Sequence, residues 1–342
     1  MLTAALATPL SGPLASYGRA GATALELWAQ RQRADLAVYD AHPDPAAAIA
    51  EAERRRPDLL FGPYGSSPTA AAAAATPRLL FNHGGARTPP AGNLVSVLAP
   101  AETYFAGAVE AVHGADPGLA AVCVLHFGTG FGRAVADGAA VAAACADLAV
   151  HRTALPAGGV LNAPLVGDPG AALLVVAGAF GDELAAARRL VGAPWRAAAF
   201  VGAGVAEVLA PLGARREGLL GPCQWLAAAA PVADEGPPAE EFAAAYRRRT
   251  GAEPSYPAAQ AFAAGLIAGR CLREAGAADD IALAAAARVL DCTTLYGRFR
   301  VDATGRQVGH QVLTVQWQDG ERRVVWPADR AQAQLRHPRR PT

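Results

Sequence analysis

Two serines at the start of a predicted helix have the chemistry to hold an anion. Ser66 and Ser67 follow the predicted strand 58–61, and the next residue, Pro68, suits the first turn of a helix. Peptide N–H groups at a helix N-terminus, together with neighbouring hydroxyls, bind a carboxylate or a carbonyl oxygen. Ser67 is the expected N-cap, and Ser66 is the residue that we expect to contact a ligand. The alternative is that both serines only cap the helix.

A histidine and two glycines follow the next predicted strand, 78–81. In this loop His83 comes first, and Gly84, Gly85 and Ala86 follow it. Paired glycines let the backbone approach a ligand closely, so the N–H groups of Gly85 and Ala86 are candidate donors. His83 either donates to the ligand or is solvated, and the sequence leaves both readings open.

Aromatic residues lie at further positions where a ligand could be enclosed. Tyr17 lies in the loop after the first predicted strand. Phe131 and Phe180 follow strands of a second series, and Trp225 ends the last strand of that series. Aromatic faces at strand ends would bury an apolar or cationic part of a ligand. For each of these residues the alternative is packing in a core.

Patterns that would indicate catalysis are incomplete or absent in this sequence. Gly128-x-Gly130-x-Gly132 and Gly202-x-Gly204 follow predicted strands, but neither completes G-x-G-x-x-G, and no acidic residue follows at the distance that a ribose requires. There is no G-x-S-x-G, H-E-x-x-H or P-loop. We therefore expect a protein that is not an enzyme and needs no cofactor or metal; an NAD-dependent enzyme is the less favoured alternative.

Composition excludes two further classes of function. Hydrophobic residues make up 52% of the chain, but its alanine-rich runs are broken before they reach the length of a membrane span. The formal net charge is +0 and no long block of one sign occurs, so neither membrane insertion nor nucleic-acid binding is expected. Five scattered cysteines form no C-x-x-C pair, which favours buried free thiols in a reducing compartment over a metal site.

The order of the predicted elements indicates an α/β protein with two domains. Strands alternate with helices over 2–98 and again over 121–221, a pattern typical of parallel sheets flanked by helices. Glycine and proline at 113–118 predict a crossing between the two series. The segment 297–325 reads as antiparallel strands ending in a hairpin. A chain of 342 residues is long enough for two such cores.

Four segments, met in order along the chain, resemble a known family. Together they are similar to the loops of type I periplasmic substrate-binding proteins, a family that includes branched-chain amino-acid-binding components of ABC importers and cytoplasmic amide sensors. They are the loop PLSGPLASYG at 9–18, the acidic loop DAHPDP at 40–45, Gly62-Pro63-Tyr64-Gly65-Ser66, and the helix start YPAAQ at 256–260.

The resemblance implies two Rossmann-like lobes joined by three crossovers, with a hinge that closes on the ligand. It implies that lobe one combines 1–116 with 230–292, and lobe two 117–229 with 293–342. It adds Ser11, in the first loop, to the expected ligand contacts. The implied function is non-catalytic binding of a small polar molecule for an ABC permease; the alternative is a cytoplasmic sensor that signals to a regulatory protein.

One departure from the family bears on the ligand. Amino-acid binders of this family present an acidic residue after the strand that here runs into 201–205, where no acid stands before Glu207. A buried ammonium without a counter-charge is costly, so amides, ureas and carboxylates are favoured unless Glu207 or Asp182 reaches the ligand. We expect a periplasmic or cell-surface location if a signal peptide has been removed, and a cytoplasmic one if Met1 is the native start.

Overall fold

The chain divides into two compact units, each built from two separate stretches of sequence. The computed structural model describes residues 1–88, 92–162 and 164–337, so the end of the predicted second lobe, 338–342, lies outside the described residues. Unit 1 comprises Met1–Pro100 and Trp225–Gln311, and unit 2 comprises Ala101–Gln224 and Val312–Thr342. The chain therefore passes from one unit to the other at three points.

Strands and helices alternate along the described part of the chain, as the sequence predicts. The strands are β1 Thr3–Thr8, β2 Asp35–Asp40, β3 Leu59–Phe61, β4 Leu80–Asn82, β5 Leu94–Ser96, β6 Ala121–Phe127, β7 Ala149–Leu155, β8 Ala172–Ala177, β9 Ala197–Phe200, β10 Leu220–Cys223, β11 Cys292–Thr293, β12 Arg298–Phe299, β13 Leu313–Gln318 and β14 Glu321–Trp326. The helices are α1 Ala15–Gln32, α2 Pro45–Arg54, α3 Ser66–Ala75, α4 Ala106–Ala115, α5 Gly130–Cys145, α6 Phe180–Leu190, α7 Ala239–Thr250, α8 Tyr256–Ala275 and α9 Asp280–Val289.

Unit 1 is built on a five-stranded parallel sheet in the order β2-β1-β3-β4-β5. Successive side chains of each strand point to opposite faces of this sheet, so each strand contributes to both faces. Leu6 of β1 packs with Trp28 and Phe61 on the face covered by α1 and α8. Ala5 joins Ile49 on the opposite face. Both faces of the sheet are thus buried, as the apolar strands predict.

Helices α1 and α8 pack closely because α8 carries a glycine where they meet. A Cβ atom at Gly265 would lie 2.5 Å from Cγ of Trp28, closer than packed carbon atoms allow. Trp28 itself is fully buried and lies edge-on to Phe61, with ring centroids 5.5 Å apart. This contact fixes α1, and with it the loop that precedes α1, on the sheet.

Unit 2 is built on a seven-stranded sheet in the order β14-β13-β10-β9-β8-β6-β7. Strands β6 to β10 run parallel to their neighbours in this group, and β13 and β14 are added antiparallel at one edge. This arrangement matches the predicted parallel series and the predicted C-terminal hairpin. The expected fold class, two α/β units of parallel strands flanked by helices, is confirmed.

The passages between units fall at different residues from the expected boundaries at 116, 229 and 292. Helix α4 belongs to unit 2, where a Cβ at Gly107 would lie 2.3 Å from the Trp326 ring. The segment 293–311 belongs to unit 1, where Gln307 donates to the carbonyl oxygen of Val97 at 3.0 Å. Contacts between residues distant in sequence decide both assignments, whereas the expected boundaries were those implied by the resemblance to the family. Within the described ranges, every helix is too short or too polar to cross a membrane.

Candidate functional site

The loops after β1, β3 and β4 meet at the carboxyl edge of the unit 1 sheet. A Cβ at Gly84 would lie 2.4 Å from Cα of Tyr64, and one at Gly65 would lie 2.8 Å from Cδ1 of Leu14. The N–H of Arg87 donates to Oγ of Ser66 at 3.0 Å, which ties the β4 loop to the start of α3. Parallel strands place the ligand-binding loops of α/β proteins at this edge, so these loops form the candidate site of unit 1.

Three tyrosines form the centre of this edge. The rings of Tyr17 and Tyr64 are stacked with centroids 5.0 Å apart and an interplanar angle of 16°. Tyr256 lies 6.4 Å from each of them, and its hydroxyl is hydrogen-bonded to that of Tyr64. Tyr17 was predicted as a site residue. Tyr64 and Tyr256 were missed, although both stand in segments that resemble the family.

The start of α3 differs from the prediction in one respect. The N-cap is Gly65 and not Ser67, because the backbone turns there with φ of 102° and ψ of 138°, a conformation that favours glycine. Ser66 and Ser67 are therefore the first two helical residues; Ser66 is half-buried and Ser67 is exposed. Thr69 steadies the turn by donating from Oγ1 to the carbonyl oxygen of Pro63 at 2.8 Å.

The glycine loop after β4 is held by an asparagine that the prediction did not include. Oδ1 of Asn82 accepts the N–H groups of Gly84 at 3.1 Å and of Gly85 at 2.8 Å, and Nδ2 donates to Ser96 at 2.9 Å. The N–H of Gly85, predicted as a ligand donor, is therefore already bonded within the loop. Glycine at position 85 instead allows the loop to pack closely on α3, since a Cβ there would lie 2.6 Å from Thr69. Ala86 is half-buried and remains a candidate.

His83 is fully buried inside unit 1, so the solvated alternative is wrong. A Cβ at Gly21 of α1 would lie 3.2 Å from Cε1 of His83 and 3.4 Å from Cβ of Ala261 in α8, so the ring packs beside both helices. Neither ring nitrogen has a hydrogen-bond partner among the described residues. Burial lowers the pKa of His83 to about 4, so the imidazole is neutral at pH 7.

Ser11 lies in the exposed loop after β1 and fastens it to the end of β2. Its Oγ donates to Oδ2 of Asp40 at 2.7 Å, and the N–H of Leu10 donates to Oδ1 at 2.8 Å. Burial raises the pKa of Asp40, but hydrogen bonds from Ser11, His42 and Leu10 outweigh it and leave this pKa at about 2. At neutral pH Asp40 is therefore ionised, and the Ser11 hydroxyl is already hydrogen-bonded to it.

The predicted aromatic residues separate into two groups. Phe131 lies in the first turn of α5, half-buried and edge-on to Tyr104 with centroids 5.6 Å apart. Phe180 begins α6 and is also half-buried. Both follow parallel strands of unit 2. Trp225, predicted as a ligand wall in lobe two, instead lies in the core of unit 1, where it is 5% exposed, packs on Phe242 and donates to the carbonyl oxygen of Leu295 at 2.9 Å.

A buried carboxyl group connects two loops at the carboxyl edge of the unit 2 sheet. Oε1 of Glu183 accepts the N–H of Gly178 at 3.0 Å, and Oε2 accepts the N–H of Gly202 at 2.6 Å. Burial raises the pKa of Glu183 to about 8, although the two N–H groups act to lower it. The acids weighed from the sequence lie elsewhere: Asp182 accepts the N–H of Gly158, and Glu207 is exposed.

The fold and these strand-end surfaces define the class of protein. Two α/β units, built from alternating stretches of one chain and each carrying polar and aromatic loops at the carboxyl edge of its sheet, are those of a type I periplasmic binding protein. The sequence pattern of the family described as periplasmic binding protein matches residues 2–322. The chain belongs to this family, which confirms the resemblance of its four segments.

Solved structures share the fold at low sequence identity. A leucine-binding protein of Thermotoga maritima has a TM-score of 0.75 at 17% identity, covering 95% of this chain and 97% of the other. A branched-chain amino acid substrate-binding protein of Streptococcus pneumoniae, in complex with isoleucine, has a TM-score of 0.73 at 15% identity, covering 99% and 100%. A solute-binding protein of R. palustris, in complex with benzoate, has a TM-score of 0.70 at 16% identity, covering 94% of each chain. No curated protein matches the sequence significantly.

Proposed function

We propose that this chain is the solute-binding component of an ABC importer and binds a small carboxylate with an apolar body, which it releases unchanged. The observation that carries the proposal is the meeting of three strand-end loops around Tyr64, beside the start of α3. Membership of the periplasmic binding protein family supports non-catalytic binding of a solute.

The chemistry of this edge suits a carboxylate. The first turn of α3 offers peptide N–H groups at the positive end of the helix dipole, with the hydroxyls of Ser66 and Ser67 beside them. Oγ of Ser66 accepts from Arg87 and so can direct its own O–H toward a ligand oxygen. These groups bind negative charge whichever apolar group carries it.

The tyrosine rings suit the apolar body of the solute. Tyr17 and Tyr256 are half-buried at this edge, and their ring centroids lie 6.4 Å apart. Apolar and aromatic groups pack on such rings. Isoleucine and benzoate, the solutes in two of the similar structures, each join a carboxylate to an apolar body. We infer that the solute of this protein has the same two parts.

The experiment is a thermal-shift assay of the purified protein with matched pairs of compounds. L-Isoleucine is paired with 2-methylbutylamine and benzoate with benzyl alcohol, so that each pair differs in the carboxylate. We expect a saturable rise in Tm with at least one carboxylate and none with its partner, since only a ligand of the folded state stabilises by mass action.

Mass spectrometry of the recovered compound completes the test. We expect the solute to return unchanged after prolonged incubation. Equal shifts for both members of a pair would contradict the carboxylate assignment. Consumption of the compound would contradict the binding-protein assignment. No shift with any of the four would exclude this solute class.

A further inference from the structure

We propose that Glu183 is a positioning residue for solute binding at the carboxyl edge of the unit 2 sheet, where it fixes two glycine loops through their peptide N–H groups. The proposal rests on the proposed function for its link to solute, but the contacts that it invokes lie within unit 2. The two loops are 178–179, after β8, and 201–205, after β9. Glu183 acts through these loops and touches no solute itself, because its side chain is fully buried.

The position of Glu183 explains how it reaches both loops. It lies in the first turn of α6, the helix that begins directly after the β8 loop. From there its carboxyl accepts the N–H of Gly178 in that loop, and across the neighbouring strand it accepts the N–H of Gly202. Each carboxylate oxygen has one donor. The side chain thus links the ends of β8 and β9, which pair in the sheet.

The two glycines show how closely these loops are packed. A Cβ at Gly178 would lie 2.6 Å from the ring of Phe127, and one at Gly202 would lie 2.5 Å from Cγ1 of Val208 and 3.2 Å from Oε2 of Glu183. The loops therefore approach the carboxyl as bare backbone. A side chain at either position would push the N–H group away from its acceptor.

Stability does not explain why the carboxyl of Glu183 is buried. Removal of an ionisable group from water is costly, and two N–H donors compensate only in part, as the raised pKa of about 8 for Glu183 indicates. The acidic groups on the elements around it are Asp182 on α6, which raises this pKa further, and Glu207 after β9, which is exposed. The ionised form offers a full acceptor to each N–H group. The protonated form, which prevails below about pH 8, offers one of them only the weaker acceptor of its hydroxyl oxygen.

The strand ends that Glu183 joins are those that carry ligand loops in parallel sheets. With their N–H groups directed at the carboxyl, the loops keep one backbone conformation, and a solute meets a surface that is already formed. Such preorganisation raises affinity by removing the entropy cost of ordering a loop on binding. Loss of the carboxyl is therefore expected to weaken solute binding through the loops.

The first test observes the amides and needs no solute. In ¹⁵N-labelled protein, the amide signals of Gly178 and Gly202 are followed from pH 5 to 9.5 in the wild type, Glu183→Gln and the control Glu207→Gln. Glutamine replaces one acceptor oxygen with an NH₂ donor, so at least one glycine N–H loses its partner. Glu207 is an exposed acid of the same type.

We expect both glycine signals to titrate together in the wild type and in E207Q, with one midpoint well above the ordinary pKa of glutamate. In E183Q we expect no titration and at least tenfold faster hydrogen exchange of one of the two amides. If the signals titrate separately or not at all in the wild type, or if exchange in E183Q equals that in E207Q, the proposal is overturned. The wild-type measurement decides the matter even if E183Q fails to fold.

The second test measures the link to solute by calorimetry with L-isoleucine and benzoate as probes. One of the two probes is expected to bind the wild type, and we expect E183Q to bind that probe at least tenfold more weakly than the wild type does. The wild-type affinity should rise between pH 6 and 9, and that of E183Q should stay constant. Equal affinities would overturn the role in solute binding. If neither probe binds the wild type, the proposed solute class fails, while the amide measurement still decides whether Glu183 fixes the loops.

Discussion

The carboxyl edges of the two sheets fix their loops by different chemistry. In unit 1, neutral groups hold the loops after β3 and β4: the side-chain amide of Asn82 binds two glycine N–H groups, and the hydroxyls of Tyr64 and Tyr256 bind each other. The loop after β1 is held by Asp40, whose low pKa of about 2 keeps it ionised. In unit 2, an ionisable group, the carboxyl of Glu183, binds two glycine N–H groups. Glycine N–H groups in strand-end loops are thus bound by a neutral amide in unit 1 and by an ionisable carboxyl in unit 2. The loops of unit 1 are expected to keep their structure over a wide pH range, and those of unit 2 are not.

The largest expected effect is the pH dependence of stability contributed by Glu183. The carboxyl has a pKa of about 8 in the folded protein, above its ordinary value of 4.5, so the folded state binds its proton more tightly than the unfolded state does. Stability from this group is therefore present below pH 4.5 and is lost as pH rises toward 8, with a slope of up to about 1.4 kcal/mol per pH unit.

Urea denaturation of the wild type, E183Q and E207Q at several pH values measures this slope. We expect the wild type and E207Q to lose stability relative to E183Q between about pH 5 and 8. Parallel curves for all three proteins would show that Glu183 titrates as it does in the unfolded chain, and the contrast between the two edges would disappear.

The next effect is expected from the neutral counterpart in unit 1, Asn82→Ala. The substitution leaves the N–H groups of Gly84 and Gly85 buried without an acceptor, at roughly 1–3 kcal/mol each, so a loss of about 3 kcal/mol in unfolding free energy is expected. The loss should be the same at pH 5 and pH 8, because an amide does not titrate. Asn162→Ala, at an exposed site, is the control; a pH-dependent loss in N82A alone would break the comparison.

A smaller effect, on binding and not on folding, is expected from Ser66→Ala. If the Ser66 hydroxyl meets the carboxylate of the solute, its removal weakens binding by about 1 to 3 kcal/mol. Calorimetry with the carboxylate found in the thermal-shift assay compares Ser66→Ala with the wild type. Ser67→Ala, which removes the adjacent, exposed hydroxyl of the same helix turn, measures the share of the second serine. Wild-type affinity in S66A would mean that Ser66 serves only the contact with Arg87.

The smallest effect is expected from the tyrosine pair of unit 1. Tyr64→Phe and Tyr256→Phe each remove one hydroxyl of a single hydrogen bond, at about 1 kcal/mol of unfolding free energy. Because both variants lose the same bond, the double variant should cost less than the two single ones added together. Chemical denaturation of the wild type, the two single variants and the double variant measures these costs. Strictly additive costs would show that the two hydroxyls do not interact.

The sequence allowed the architecture to be predicted: the alternation of apolar strands and helices predicted two α/β units. The site residues stay predictions. Of these, Tyr17 and Ser66 lie in the first turns of α1 and α3, and Ala86 lies in the loop after β4. His83 and Trp225 were correctly placed after strands, yet both lie inside unit 1. A position after a strand specifies the edge of the sheet but not the direction of the side chain.

What the sequence determined by itself is therefore local: the period of the apolar residues, the glycine that turns the chain at Gly65, and the family that these segments identify. Only the tertiary structure decided which groups meet. Tyr64 and Tyr256 form one hydrogen bond although they stand 192 positions apart. Glu183 reads in the sequence as an ordinary acid in the first turn of a helix. Its burial, its pKa and its two glycine partners arise because β8 and β9 pair side by side, and no local pattern encodes that pairing.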